Sequence, residues 1–365
     1  MRILIDYRPA LRERTGVGEY AHELTAALVP LLSPGDALTL FSSSWKDRLP
    51  PDAVPGSTSV DRRIPVRMLN FAWHRLRVPP VDWLAGRHDI IHALHPIAIP
   101  SRTGARVVTI HDLDFLDHPE RTRREIRRDY PALAPVHARA ADRIVTVSQF
   151  TASEVERRLD VERSRIVVCP PGAPDWTPRP APVLDGPILF VGTLEPRKNA
   201  GTLLDAYARL RSFVPTAPRL ALAGHAPESA EGLLRRISEP PLAGHVEHLG
   251  YVSGTQRQDL YRGASMLVLP SLLEGFGLPV LEAMTAGVPV IVSDRGALPE
   301  VAGNAGQIVP AEDAEALASA MAAYLRDPGM AAAAAARGIA QAGRYSWRES
   351  ARTLLSAYTD VMRQR

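Results

Sequence analysis

Two carboxylates, Glu274 and Glu282, with seven residues between them, bracket a loop that carries Gly275, Gly277 and Pro279. An apolar run, SMLVLP (265–270), precedes the loop and reads as a buried parallel strand. A helix from about Pro279 to Ala286 follows, with Pro279 in its first turn and Gly287 as a left-handed stop. A second strand, VPVIVS, closes the stretch. Free amides at the start of such a helix favour an anion. Carboxylates beside an anion site suit hydroxyl groups, as acceptors for sugar or ribose O–H. The ligand this implies is a phosphate flanked by polyols, that is, a nucleotide sugar. Arg197 and Lys198 lie in another strand-to-helix loop, GTLEPRKN (192–199). Arg can fork two phosphate oxygens and Lys adds a mobile point charge, so both would offset charge on a departing diphosphate. A third candidate is His111, just past the strand Val107 to Ile110, at the carboxyl edge where α/β sheets bind ligands.

These residues need strands to hold them. The start, RILIDY, a helix to about Leu32 and the strand ALTLF give a βαβ rhythm and hence a parallel sheet. GVGEYA fits G-x-G-x-x-A, but about eight residues separate it from the strand and no acidic residue ends the second strand. Gly16 and Gly18 are therefore read as a close approach of backbone to phosphate. HDIIHALHP, ARVVTI, DRIVTV and RIVVC continue the sheet, with Ser148 as a helix N-cap. Seven prolines between Pro170 and Pro187 mark a linker between domains. A second α/β domain opens at ILFV, with Asn199 expected to cap the helix after it. The strand ends at Gly224 and at Gly250–Tyr251 would border a nucleobase. Ser253 with Gln256, and Ser346 with Glu349, have capping-box spacing.

The 365 residues suit two domains, and a net charge of +3 does not imply nucleic acid. No stretch has the apolar length of a membrane span and the start has no signal-peptide core, so the expected compartment is the cytoplasm. The one cysteine, Cys169, is expected to be a buried thiol. Asp112-Leu113-Asp114 spells D-x-D, yet no metal is expected. MLNFAWHRLRVPPVDWL (68–84) is either a packed helix or an exposed aromatic face with Arg75 and Arg77 toward lipid phosphates. RTRREIRRDY (121–130) is either a solvated helix face or an attractor for a diphospho-lipid or an anionic membrane.

EGFGLPVLEAMTAGVPVI resembles the E-(seven residues)-E signature of the retaining GT-B glycosyltransferases of family 4, and GTLEPRKN resembles that family's donor-diphosphate motif. The resemblance spans nearly the whole chain. It implies a GT-B fold: two facing Rossmann-like domains with a cleft between them, at 1–172 and 188–344, a linker at 173–187, and a crossover helix at 345–365. It implies sugar transfer from a nucleoside-diphosphate sugar to a saccharide or lipid-linked acceptor, without a cofactor. Glu282 would bind ribose, while Glu274 and the amides of Phe276, Gly277 and Leu278 would hold the donor sugar. Arg197, Lys198, Gly16 and Gly18, with Thr15 assisting, would hold the diphosphate beside Gly192, and His111 would contact the sugar. TGVGEY with TIHDLDFLDHPE looks most like mannosyltransferases, which suggests GDP-mannose. A sugar-nucleotide epimerase and a non-catalytic nucleotide-sugar-binding protein are the alternatives.

Overall fold

Strands buried on both faces read as unbroken apolar runs, and such runs recur through the chain until about residue 309. A computed structural model describes residues 1–11, 16–121 and 124–365. Thr15 and the side chains of 121–126, which hold most of the basic cluster, lie outside the described residues. The chain forms two units, Met1–Gly172 with Ser346–Arg365, and Ala173–Tyr345.

The first unit is a seven-stranded parallel sheet in the order β3-β2-β1-β4-β5-β6-β7. Its strands are β1 (Arg2–Asp6), β2 (Ala37–Ser43), β3 (Thr58–Arg62), β4 (Ile90–Ala93), β5 (Ala105–Ile110), β6 (Arg143–Thr146) and β7 (Ile166–Val168). β3, the one strand here that the sequence reading missed, is a polar edge strand with no fully buried residue, so its pattern carries little core signal. The winding direction reverses between β1 and β4, which pair directly through Ile3–Ile90, Leu4–Ile91 and Ile5–His92. The last helix, Trp347–Gln364, buries Ser350, Ala351, Leu354, Ala357, Tyr358 and Val361, a stripe at helical spacing. It packs on the helix Val17–Leu28, and the Tyr358 hydroxyl meets His92 Nδ1 of β4 at 2.5 Å. Ser346 occupies the N-cap of this helix without a side-chain bond, and Glu349 pairs with Arg352 instead. The capping box expected there is not formed.

The second unit is a six-stranded parallel sheet in the order β10-β9-β8-β11-β12-β13. Its strands are β8 (Ile188–Val191), β9 (Leu220–Ala223), β10 (Val246–Gly250), β11 (Met266–Leu269), β12 (Val290–Ser293) and β13 (Gln307–Val309). Here the reversal falls between β8 and β11. The proline-rich segment has no regular structure, yet it is fastened to this unit. The Ala173 amide donates to the Tyr345 carbonyl at 3.0 Å. Trp176 packs on Tyr261. The Arg179 guanidinium reaches the carbonyls of Gly287 at 3.0 Å and of Ala264, at the ends of two helices, where a cation also suits the helix dipole.

Candidate active site

In an open parallel sheet the reversal of winding leaves a crevice at the carboxyl ends of two neighbouring strands. In the second unit those strands are β8 and β11, and the predicted cations and carboxylate come together there. After β8 the chain passes Gly192 and a short turn, Pro196–Lys198, before the helix Ala200–Phe213. After β11 it passes Ser271 and Glu274 to the helix Leu278–Thr285. Lys198 Nζ lies 2.5 Å from Glu274 Oε1, and Arg197 Nη1 lies 3.3 Å from Oε2. Ser271 Oγ donates to Glu274 Oε1 at 2.8 Å. Arg197 also pairs with Glu195 at 3.1 Å. Burial opposes the charge on both Glu274 and Lys198. For Glu274 the adjacent Lys198 and Arg197 prevail and hold the carboxyl below its usual range. For Lys198 burial prevails and lowers the ammonium.

Backbone geometry brings these groups together. Gly192 and Gly224 both have positive φ, and a Cβ on Gly224 would sit 2.0 Å from the Gly192 carbonyl oxygen. The Lys198 stem runs past Gly192, 3.5 Å from where its Cβ would be. Gly296, at φ +62°, lies against the Glu274 backbone, so that a Cβ there would meet its nitrogen at 2.7 Å. Asn199 holds the N-cap position but does not bond the helix amides. Its side-chain NH2 donates to the Pro270 and Ala311 carbonyls, and its oxygen accepts from Thr202 Oγ1. The expected side-chain cap is replaced by a brace between the β8 loop and the end of β11.

The helix Leu278–Thr285 begins at Gly277 in a left-handed conformation, and Gly287 beyond its end has φ +75°. Among the described residues the amides of Phe276, Gly277 and Leu278 meet no acceptor, which leaves three donors at the helix start. Phe276 is buried edge-on to Tyr345. Glu282 lies apart from the Glu274 cluster. Tyr261 donates to Glu282 Oε2 at 2.9 Å, and Arg257 Nη2 stands 3.0 Å from Oε1. Ser253 and Gln256 form the predicted capping box of the helix Gly254–Gly263 that carries Arg257 and Tyr261. These two partners of Glu282 were not foreseen; their four-residue spacing on one helix was the available signal. Tyr251 follows β10 and is exposed.

In the first unit His111 sits beyond β5, its Nε2 3.3 Å from the Leu94 carbonyl and its ring edge-on to Tyr20. Burial pushes its pKa down to about 4. Gly18 lies in the first turn of the helix Val17–Leu28, which ends before the expected Leu32. A Cβ on Gly18 would stand 2.8 Å from the Pro9 carbonyl oxygen, so close packing of the helix already demands glycine there. Gly16, at φ +40°, has open space where a Cβ would be. Ser148 caps its helix by accepting from the Thr151 amide, as predicted. Cys169 is fully buried, and burial pushes its thiol up to about 12. Asp112 accepts from the Asp114 amide at 3.1 Å, a local turn. Among the described residues no three His, Cys, Asp or Glu side chains converge as a metal site would require.

In the segment 68–84, Leu69 and Trp73 face the core, while Met68, Phe71 and Leu76 are 64%, 53% and 59% exposed. The segment is packed on one face and apolar and exposed on the other, but its arginines have partners within the unit: Arg77 Nη1 donates to the Ala98 carbonyl at 3.2 Å and Arg75 pairs with Asp129 at 3.2 Å. Three groups that were not singled out, Asp6, Arg8 and His95, cluster at the ends of β1 and β4. Their position at strand ends was the one signal available.

Residues 183–341 match the model of glycosyl transferases group 1, and residues 14–175 that of glycosyltransferase family 4. The O-antigen chain mannosyltransferase B of Escherichia coli is 31% identical over 98% of this chain and 99% of its own length. The phosphatidyl-myo-inositol mannosyltransferase of Mycolicibacterium smegmatis is 29% identical over 94% of this chain and 90% of its own. Among solved structures, sucrose-phosphate synthase of Thermosynechococcus elongatus superposes with a TM-score of 0.78 at 20% identity, covering 100% of this chain and 99% of that one. The two Rossmann-like units are those of the GT-B fold.

Proposed function

We propose, from the premise that this chain belongs to the family 4 glycosyltransferases, that it moves mannose from GDP-mannose to a hydroxyl of a saccharide or lipid-linked saccharide, with retention at the anomeric carbon. The observation that carries the proposal is the Lys198–Glu274–Arg197 cluster at the reversal point of the second sheet. A diphosphate arriving there meets two cations and the amides of Phe276, Gly277 and Leu278. Phosphate oxygens draw Arg197 and Lys198 partly from Glu274, and Glu274 is then available to accept from donor-sugar hydroxyls. As the glycosidic bond breaks, the same cations offset the charge that develops on the leaving diphosphate. Glu282, oriented by Tyr261 and Arg257, is the carboxylate that accepts from ribose hydroxyls. Gly192, Gly224 and Tyr251 border the nucleoside. His111, Gly16 and Gly18 in the first unit take the roles that the family resemblance gives them, toward the sugar and the diphosphate. Mannose is favoured because the relatives in E. coli and M. smegmatis are named mannosyltransferases.

The reaction needs no cofactor and no metal in this reading, so EDTA leaves turnover unchanged. The exposed Met68, Phe71 and Leu76, with the half-exposed Arg75 on the same segment, are suited to an anionic membrane surface bearing a lipid-linked acceptor. Sedimentation with anionic vesicles at low salt tests that contact, and a protein left wholly in the supernatant rules it out. Among the described residues no helix is long and apolar enough to cross a membrane.

A thermal-shift series with GDP, UDP, dTDP, ADP and NAD tests the reading as a whole. A ligand at a hundred times its Kd contributes about 2.7 kcal/mol, an easily measured shift. GDP alone is expected to raise the melting temperature. Another diphosphate in its place changes the donor, and NAD alone overturns sugar transfer. The anomeric configuration of the product, read by NMR, tests retention.

A further inference from the structure

The first sheet has its own reversal of winding, between β1 and β4, and a second acid–cation cluster occupies it. Asp6 closes β1 and its side chain is fully buried. Arg8 clasps it twice, with Nε at 2.8 Å from Oδ1 and Nη2 at 2.6 Å from Oδ2. His95, two residues beyond β4, places Nε2 3.0 Å from Oδ2. The Ile97 amide donates to His95 Nδ1 at 3.2 Å, which leaves Nε2 as the nitrogen that donates to Asp6. Arg8 Nη1 donates to Asn70 Oδ1 at 2.9 Å. The guanidinium lies over Trp73, 5.1 Å from the ring centroid.

This cluster is more than a structural ion pair. A guanidinium carries five N–H donors. Among the described residues two are spent on Asp6 and one on Asn70, which leaves two on a plane fixed by a carboxylate, an amide and an aromatic face. Holding a buried carboxylate costs desolvation, and that cost secures a rigid orientation for Arg8. The place is also where an open α/β sheet receives a ligand. The charge on Arg8 is matched by Asp6, so what it offers outward is a pair of hydrogen-bond donors with little net charge. Such a pair suits two neighbouring neutral oxygens better than a phosphate dianion.

We propose that Arg8 is a specificity-determining residue for the acceptor, its two remaining donors taking a pair of adjacent hydroxyl oxygens on the acceptor saccharide. The inference rests on the glycosyl-transfer reading above and adds the group that selects the acceptor. Asp6, His95 and Asn70 are positioning residues that act through Arg8.

The test uses the full chain and saturation-transfer NMR with two probes, methyl α-mannopyranoside at millimolar concentration and GDP, on wild type, Arg8→Lys and Arg8→Ala. Lysine keeps the charge beside Asp6 and loses the planar fork. The mannoside signal is expected to fall about fivefold or more in both variants, the loss of one or two hydrogen bonds, while the GDP signal stays within about twofold. A mannoside signal that is absent from wild type, or undiminished in both variants, overturns the proposal. So does loss of both signals in Arg8→Lys, which assigns Arg8 to folding alone. Inorganic phosphate whose 31P line is broadened by wild type and not by the variants makes the site an anion site instead. Failure of GDP to bind wild type counts against the transfer reading itself, separately from Arg8.

Discussion

Lys198 Nζ and Glu274 Oε1 form a buried ion pair of 2.5 Å across the mouths of β8 and β11. Each group is the main compensation for the other's burial. Removing one leaves an uncompensated charge, a loss of about 3–5 kcal/mol when such a pair is broken. Lys198→Ala and Glu274→Ala are each expected to lower turnover by about a hundredfold or more. The double variant should be little worse than the worse single one, because the pair acts as a unit. GDP release from GDP-mannose measures this. Turnover within about threefold of wild type in both singles would contradict the roles given to this pair.

Glu282 belongs to a different constellation, with Tyr261 and Arg257, and its expected partner is ribose. Glu282→Ala should therefore erode discrimination between GDP and 2′,3′-dideoxy-GDP more than it erodes affinity for the diphosphate itself. A wild-type preference of about tenfold or more, from one or two hydrogen bonds to a charged acceptor, should shrink toward unity. Titration calorimetry with both nucleotides gives the two ratios. An unchanged ratio with weaker binding of both would move Glu282 from ribose recognition to support of the helix.

Much of this second unit was legible beforehand. β8, β11 and β12 are unbroken apolar runs, and glycine and proline mark the loops between them. Arg197, Lys198 and Glu274 fall in those loops and Glu282 in the short helix after one of them, so types and spacing singled them out as candidates. Their partners were not legible. That Lys198 meets Glu274 depends on the order of strands, which places β8 beside β11 across 76 residues of sequence. The Asp6–His95 contact arises in the same way, across 89 residues. Asn199 and Ser346 show the limit of local rules. Both sit at the predicted N-cap positions, but Asn199 is drawn off by the Pro270 and Ala311 carbonyls, and Ser346 makes no side-chain cap bond.

Glycine substitutions separate close approach from mere flexibility. Gly224→Ala would drive a Cβ to 2.0 Å from the Gly192 carbonyl oxygen, at a backbone φ of +150°. A loss of about 3 kcal/mol is expected, seen as a lower urea midpoint. Gly232 lies in the helix Glu231–Ile237 with nothing within 4 Å of its added Cβ. Gly232→Ala should stabilise by roughly 0.5–1 kcal/mol. Equal effects from the two substitutions would show that the contact at Gly192 relaxes freely.

Acid stability carries the last prediction. Burial pushes His111 and His137 down to about 4 and His92 down to about 3. His92 is held by the Tyr358 and Thr109 hydroxyls. His137 accepts from the Ala98 amide at Nδ1, a bond that protonation would break. In the unfolded chain each titrates near its ordinary 6.5, so between about 6.5 and 4 the unfolded state binds more protons than the folded one. Stability is therefore full above about pH 6.5 and falls as pH drops through this window, by up to about 1.4 kcal/mol per pH unit for each group. The carboxylates with lowered values, Glu274 among them, act only further down, below the unfolded range near 4. Urea midpoints measured from pH 7.5 to 4.5 should decline, with a steeper slope below 6.5. His137→Asn should remove about one proton's share of that slope. A midpoint that is flat down to pH 4.5 would show that these three imidazoles are protonated in the native state at little cost.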